Sequence, residues 1–295
     1  MSLKTDYLTR IGNNPYGLRK KNGLRIATYN VHYWCDVNEK NTLSLILQDI
    51  KYINADIICL QEAIVGSIYN VENGIINTEH VIYLLEEMGY YILFCNNVPT
   101  WFNSVYGNMM CVKKKIATVL KNDNLTIHTF EKSTQSCLVS GDIKGVPETR
   151  CFIQFEFLNY LIICTHLDVC SEHTRLKQID YILKIIKASS KKIILLGDFN
   201  STDIKDYSDT QKLAIINYIY NNNTKHIHNN SIQKIKLSGM RSVITVPTTW
   251  SNIQSDYIFI RGIKHVYSQV LYTPHSDHLP LIVDIKSSKT KKRKE

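Results

Sequence analysis

Ile193-Ile194-Leu195-Leu196-Gly197-Asp198-Phe199-Asn200 reads as a short buried strand that reaches the surface at a carboxylate and then a carboxamide. Asp198 and Asn200 lie two apart on an extended segment, so both face the same side. The same pattern recurs along the chain. An alternating run from Leu24 ends at Thr28-Tyr29-Asn30. A buried run through Ile57, Ile58 and Cys59 delivers Leu60-Gln61-Glu62, and one from Leu161 to Cys164 delivers Thr165-His166-Leu167. Ser276-Asp277-His278 closes the series just before Leu279-Pro280-Leu281. Each triplet puts a carboxylate, carboxamide or imidazole where a buried strand surfaces.

Helices separate these strands. Leu43, Ile46, Leu47, Ile50 and Ile53 follow the spacing of one helix face. A second helix is expected over 78–88, with Thr78 as N-cap and Gly89 just past its end. A third is expected over 172–188 with Ser171 as cap, and a fourth over 209–220. Further strands are expected at 90–95, 106–112, 116–120, 126–130, 150–157, 256–261, 265–271 and 280–285. Residues 221–242, rich in Asn and His, read as a loop, and no internal repeat is visible. Strands and helices mix throughout without a Gly-rich nucleotide fingerprint, so the body is one α/β domain over 24–285. It is preceded by a basic arm over 1–23 and followed by a basic tail over 286–295.

The net charge of +9 is concentrated at the termini. Residues 1–25 and 286–295 each net +5, which leaves −1 for 26–285. Such arms suit a polyanion such as nucleic acid, or act only as solvated tails. Lys289-Thr290-Lys291-Lys292-Arg293-Lys294 could also serve for nuclear import. No apolar run approaches the ~20 residues that span a membrane, so no membrane anchor is expected. The polar start lacks a signal core, which points to an intracellular, cytoplasmic or nuclear protein. A glycan on the sequon Asn200-Ser201-Thr202 would block the motif, which also argues against secretion. None of the eight cysteines forms a Cys-x-x-Cys pair, and several sit inside apolar runs. They read as buried free thiols in a reducing compartment, not as a zinc site.

Taken together, the acids, amides and histidines are the parts of a metal-assisted site that cleaves phosphodiesters. Magnesium favours one or two carboxylates plus waters and substrate phosphate, which these residues can supply; Mn²⁺ would serve similarly. Asp256, which opens Tyr257-Ile258-Phe259-Ile260, could orient an imidazole by accepting its N–H. His32, two residues after Asn30, is open to either a cleft or a structural role.

These motifs, with Tyr106-Gly107-Asn108 and Asp256-Tyr257-Ile258-Phe259, resemble the endonuclease/exonuclease/phosphatase superfamily over nearly the whole body. The resemblance implies a four-layer α/β sandwich with two central β-sheets and the site at one edge. It implies a divalent cation and in-line attack by a water-derived nucleophile. Glu62 looks like the principal Mg²⁺ ligand, with Asn30 and Asp277 nearby. Asp198 and Asn200 would orient the water and the phosphate. His278, paired with Asp256, would be the base or polarise the phosphate, and His166 would hydrogen-bond the scissile phosphate. Asn108 would contact substrate. Arg175, nine residues after His166, would contact phosphate or pair on the helix surface. Thr165-His166-Leu167 departs from the apurinic-site endonuclease branch. It is similar to the group holding 5′-tyrosyl-DNA phosphodiesterases, deadenylases and neutral sphingomyelinases. The implied function is a nucleic-acid phosphodiesterase: an endonuclease, an exonuclease or a DNA-end-processing enzyme. The alternative is a small-molecule or lipid phosphoesterase.

Overall fold

The computed structural model describes residues 3–12, 17–19, 21, 23–70, 74–99, 104–117, 124–131, 137–140, 143–145, 148–220, 222–263 and 266–286. Most of the basic tail therefore lies outside the described residues. Helix α1 (Leu3–Gly12) leads to strand β1 (Leu24–Asn30), helix α2 (Leu43–Ile53) and strand β2 (Ile57–Val65). A hairpin of β3 (Ser67–Asn70) and β4 (Gly74–Asn77) precedes helix α3 (Val81–Glu87), strands β5 (Tyr90–Pro99) and β6 (Val105–Lys113), and the single-turn helix α4 (Lys114–Ala117). Next come β7 (Leu125–Thr129), the short β8 (Cys137–Ser140) and β9 (Ile143–Gly145), then β10 (Cys151–Phe157) and β11 (Tyr160–His166). Helix α5 (Glu172–Ala188), strand β12 (Lys192–Asp198) and helices α6 (Asp209–Ala214) and α7 (Ser231–Leu237) follow. Strands β13 (Arg241–Ser242), β14 (Asp256–Arg261), β15 (Val266–Val270) and β16 (Leu281–Ile285) complete the body.

Two six-stranded mixed sheets carry the fold, in the orders β15-β16-β1-β2-β6-β5 and β13-β14-β12-β11-β10-β7. The two orders match strand for strand. Each sheet has one parallel pair at its centre, β1 with β2 and β11 with β12, flanked by antiparallel neighbours. Ile26, Cys59, Met110 and Val283 of the first sheet pack with Ile153, Ile162, Leu196 and Ile258 of the second in the core between them. On the outer side of the first sheet, Ile46 and Ile50 of α2 and Leu85 of α3 cover Ala27 and Ile58. On the second, Ile179 and Ile182 of α5 and Ile235 of α7 cover Ile163 and Leu195. The chain is thus an α/β sandwich with helices on both outer faces. Central strands covered on both sides read as continuous apolar runs, which is why those runs stood out in the sequence.

Several elements depart from the sequence reading. Residues 3–12 form a helix, not an irregular arm, because Tyr7 and Ile11 bury in the inter-sheet core. The Tyr7 hydroxyl donates to the Ser276 carbonyl, and Arg10 donates to Asn252 Oδ1 and the Thr249 carbonyl. Helix α3 starts at Val81, because the Thr78 hydroxyl does not cap it but donates to the carbonyls of Ile64 and Gly66. Residues 114–117 form a helical turn in place of the start of a strand. The polar stretch 221–242 holds α7, capped by Asn230, whose side chain accepts from Gln233 N–H. Cys59, Cys111 and Cys164 are buried free thiols as expected and Cys35 is buried, but Cys95 and Cys151 form a disulfide, and Cys170 is also disulfide-bonded. The Cys95 and Cys151 Cα atoms, on β5 and β10, stand 6.5 Å apart, within bridging reach. The thiol argument for a reducing compartment falls with that bond. Among the described residues no helix is long and apolar enough to cross a membrane.

Strand β1 is anchored by Arg25, buried with Asp284 of β16. Its Nε and second terminal nitrogen donate to the two Asp284 oxygens at 2.7 and 2.9 Å, and the other terminal nitrogen donates to the Ile53 carbonyl. Removing one member of a buried, hydrogen-bonded ion pair leaves a desolvated charge behind. Arg25→Met is expected to lower stability by about 3–5 kcal/mol in urea titration. A loss below about 1 kcal/mol, the scale of an exposed pair, would show that the pair is dispensable.

Candidate active site

The four central strands end at one edge. Asn30 closes β1, His166 closes β11, Asp198 closes β12, and Glu62 sits on β2 where its pairing with β6 shifts between Leu60 and Ala63. That bulge holds Glu62 at φ 56°, in the left-handed region that non-glycine residues rarely adopt. Asn200 is left-handed too, at 47°, and so are three consecutive residues, His32, Tyr33 and Trp34, at 43°, 55° and 67°. Strained backbone therefore gathers around the candidate groups. Gly197 is required by close approach. Its φ is 142°, and a Cβ there would stand 1.8 Å from the Thr165 carbonyl oxygen.

Side chains from both sheets meet at this edge. Asn30 Nδ2 donates to Glu62 Oε1 at 3.1 Å and to Asp198 Oδ2 at 3.0 Å. Asn200 N–H donates to Asp198 Oδ1 at 2.8 Å, and Asn200 Nδ2 donates to the Leu167 carbonyl at 3.0 Å. His166 Nε2 lies 3.9 Å from Glu62 Oε1 and 3.7 Å from Asp198 Oδ2. His278 Nδ1 pairs with Asp256 Oδ2 at 2.7 Å, while its Nε2 stands 3.9 Å from both Asp198 and Asp277. The loop carrying Asp277 and His278 is held by Ser276, whose hydroxyl donates to the Asn30 carbonyl at 2.8 Å.

The charges divide into distinct states. Burial, aided by Asp277 and opposed by His32, Asn30 and His278, pushes the Glu62 carboxyl up to about 7. Burial also acts most strongly on Asp198, but His278, His166 and two hydrogen bonds from Asn200 and Asn30 outweigh it and hold the group below its usual range. Burial opposes charge on His278, yet Asp256, Asp277 and Asp198 together raise it well above an ordinary imidazole. Burial and then Arg150 drive His166 the other way, far below its ordinary value. At neutral pH the site thus holds an ionised Asp198, an imidazolium at His278 and a neutral imidazole at His166.

Glu62, His166 and Asp198 offer ligand atoms within 4.8 Å of one another, as do Asp198, Asp256 and His278. A cation fits here on chemical grounds, because Glu62 is a desolvated carboxylate with Asn30 as its amide partner and Asp256 Oδ1 is buried without a hydrogen-bond donor. Of the three residues expected to hold metal, Glu62 belongs to such a group. Asn30 turns its amide nitrogen, not its oxygen, toward Glu62 and Asp198, and its oxygen accepts from His32 N–H. Asp277 stands outside both groups, 3.7 Å from His32 Nδ1.

Neither expected substrate contact is presented to the site. Arg175 is wholly buried, and its guanidinium is engaged by Glu172 and by the carbonyls of Asp168, Val169 and Ile219. It holds the start of α5 in place: four of its five N–H donors are taken by these acceptors, and burial keeps the guanidinium away from a phosphate. Asn108 is also buried and donates to the Cys151 carbonyl at 2.8 Å, tying β6 to β10. Two groups escaped the sequence reading. Tyr33 stacks on Tyr106 at 5.5 Å, and Arg150 reaches His166 Nδ1 at 3.0 Å. Arg150 directly precedes an alternating strand and belongs to no recognisable triplet, so nothing in the local sequence marks it.

Solved structures share this fold. An endonuclease/exonuclease/phosphatase family protein from Leptotrichia buccalis is 21% identical at TM-score 0.59, over 90% of this chain and all of that one. ANGEL2, a 2′,3′-cyclic phosphatase, is 17% identical at 0.56, over 90% and 98%. An AP endonuclease from Archaeoglobus fulgidus is 15% identical at 0.53, over 89% and 99%. No curated protein matches the sequence significantly. The family model of these enzymes matches residues 27–278 without leaving the sandwich just described, and the chain belongs to the Endonuclease/Exonuclease/phosphatase family.

Proposed function

We propose that this phosphoesterase hydrolyses phosphodiesters in nucleic acid with a divalent cation, Mg²⁺ or Mn²⁺, held by Glu62 with Asp198 nearby. The observation that carries the reading is the meeting of an ionised Asp198, a charged His278–Asp256 pair and a neutral His166 at one strand edge. A bound cation would polarise a phosphoryl oxygen. Asp198, fixed by Asn30 and Asn200, orients the attacking water and draws its proton. His278, already charged, cannot act as base; it stabilises negative charge on the phosphoryl group while Asp256 holds its ring. His166 and Asn200, whose side-chain nitrogens lie 3.0 Å apart, donate to a further phosphoryl oxygen. The basic termini around a near-neutral body favour a polyanionic substrate. Activity against DNA, RNA, phosphotyrosyl-DNA, inositol phosphates and sphingomyelin tests the reading, and preference for a lipid or inositol phosphate would replace it with a small-molecule phosphoesterase.

Four outcomes are expected. EDTA should abolish turnover, and Asp198→Asn or His278→Ala should lower kcat by about two or more orders of magnitude in protein still folded by circular dichroism. A folded, fully active Asp198→Asn variant would remove Asp198 from the chemistry. Cation binding should depend on pH through Glu62. With its pKa raised to about 7, the carboxyl is protonated below that value and must lose its proton to bind a cation. Calorimetry should show Mg²⁺ affinity falling roughly tenfold from about pH 8 to about pH 6 in the wild type. In Glu62→Gln the affinity should be weak and nearly flat over that range, and a flat wild-type profile would sink the assignment. Deleting residues 286–295 should weaken nucleic-acid binding and reduce its salt slope by up to about 0.9 for each duplex-DNA phosphate that the tail had neutralised. An unchanged slope would leave the tail no part in binding.

A further inference from the structure

His166 is contacted at both ring nitrogens. Arg150 presents a terminal guanidinium nitrogen 3.0 Å from Nδ1, and Asn200 Nδ2 lies 3.0 Å from Nε2. The same Asn200 atom is 3.0 Å from the Leu167 carbonyl oxygen, which requires it to be the amide nitrogen. Both neighbours are therefore donors. A neutral imidazole has one N–H and one lone pair, so it can accept from only one of them.

The competition is unequal. Arg150 is a permanent cation, 3% exposed, and charge-assisted hydrogen bonds are roughly twice as strong as neutral ones. The two hydrogens of that terminal nitrogen serve His166 and the Tyr106 hydroxyl, 3.3 Å away, and Glu148 lies 3.1 Å from it as an ion-pair neighbour. Turning Nδ1–H toward this buried guanidinium would set two donors, one of them charged, against each other. Turning Nε2–H toward Asn200 sets only neutral donors together, and an oxygen bound between them would accept from both.

We propose that Arg150 is a positioning residue that holds His166 as the Nε2–H tautomer, so that its single N–H points into the site beside Asn200. Nε2 then has no lone pair to give a metal. Although His166 lies within reach of Glu62 and Asp198, that cluster takes its cation through carboxylate oxygens, which suits a hard ion. His166 Nε2–H and Asn200 Nδ2–H converge as donors for one phosphoryl oxygen. The catalytic meaning of this arrangement rests on the phosphodiesterase reading above; the tautomer itself does not.

The test is nitrogen-15 spectroscopy of the histidine rings in the full chain, with and without Mg²⁺, the His166 signals being assigned by their loss in His166→Gln. Wild-type protein should carry the His166 proton on Nε2 in both conditions. Arg150→Met should populate the Nδ1–H form and lower kcat roughly ten- to a hundredfold, the scale for partners that fix a functional imidazole, with little change in KM. Arg150→Lys should restore Nε2–H and most of kcat. Glu148→Gln should keep Nε2–H, because the donor to Nδ1 remains. An Nδ1–H tautomer in the wild type would overturn the proposal. So would unchanged Nε2–H in Arg150→Met alongside a fall in kcat, which would assign Arg150 to substrate or packing. If Arg150→Met does not fold, Arg150→Lys decides: retained Nε2–H supports the proposal and Nδ1–H overturns it. If no phosphodiester is hydrolysed, the ring spectra still judge Arg150, while the reaction assigned to the site falls separately.

Discussion

Two parallel strand pairs, β1 with β2 and β11 with β12, are the constraint on which the site depends. Parallel neighbours end on the same side, so each sheet sends two carboxyl ends to one edge, and the facing of the sheets brings four ends together. Antiparallel pairing at either centre would have sent one of Asn30, Glu62, His166 or Asp198 to the far side of the molecule. The Asn30 amide then links a carboxylate of each sheet, Glu62 and Asp198, with two donated hydrogen bonds. This single side chain joins the halves where the chemistry is placed.

Burial sets the electrostatics of that junction, and the partners decide each outcome. Glu62 and Asp198 are both desolvated carboxylates. Two hydrogen bonds and two imidazoles keep Asp198 ionised, whereas Glu62 has fewer compensating contacts and is pushed up to about 7. The two histidines diverge for the same reason. His278 faces three acids, and His166 faces a guanidinium. Residues of the same type thus take opposite roles according to what surrounds them.

Much of this arrangement was legible in the sequence. Apolar runs ending in polar triplets marked Asn30, Glu62, His166, Asp198 and His278, and the structure brings them to one edge. Asp256 read as a carboxylate that could orient an imidazole, and the family resemblance named His278 as its partner, a pair the structure brings to 2.7 Å. What was hidden depends on contacts between distant segments. Arg175 sits at a position suggestive of a phosphate contact, but Glu172 and three carbonyls, one of them Ile219, enclose it. Arg150 acts through His166 across two strands. Tyr7 docks the polar start as a helix through burial in the core and a hydrogen bond to Ser276, both supplied by distant segments. The matched order of the two sheets left no repeat in the sequence, because strand order is set by backbone pairing, which many apolar sequences satisfy.

The pairing of β1 with β16 has a consequence for synthesis. Arg25 and Asp284 are partners across 259 positions, and the Tyr7 hydroxyl meets a carbonyl 269 positions away. A ribosome adding roughly 5–20 residues per second needs on the order of ten seconds or more to cover that distance. During that interval the nascent chain lacks Asp277 and His278, Asp198 joins Asn30 and Glu62 only in its last third, and β1 lacks one neighbour. The site cannot assemble until β16 has emerged, because Asp277 and His278 lie just before that strand and are held against β1 by its pairing.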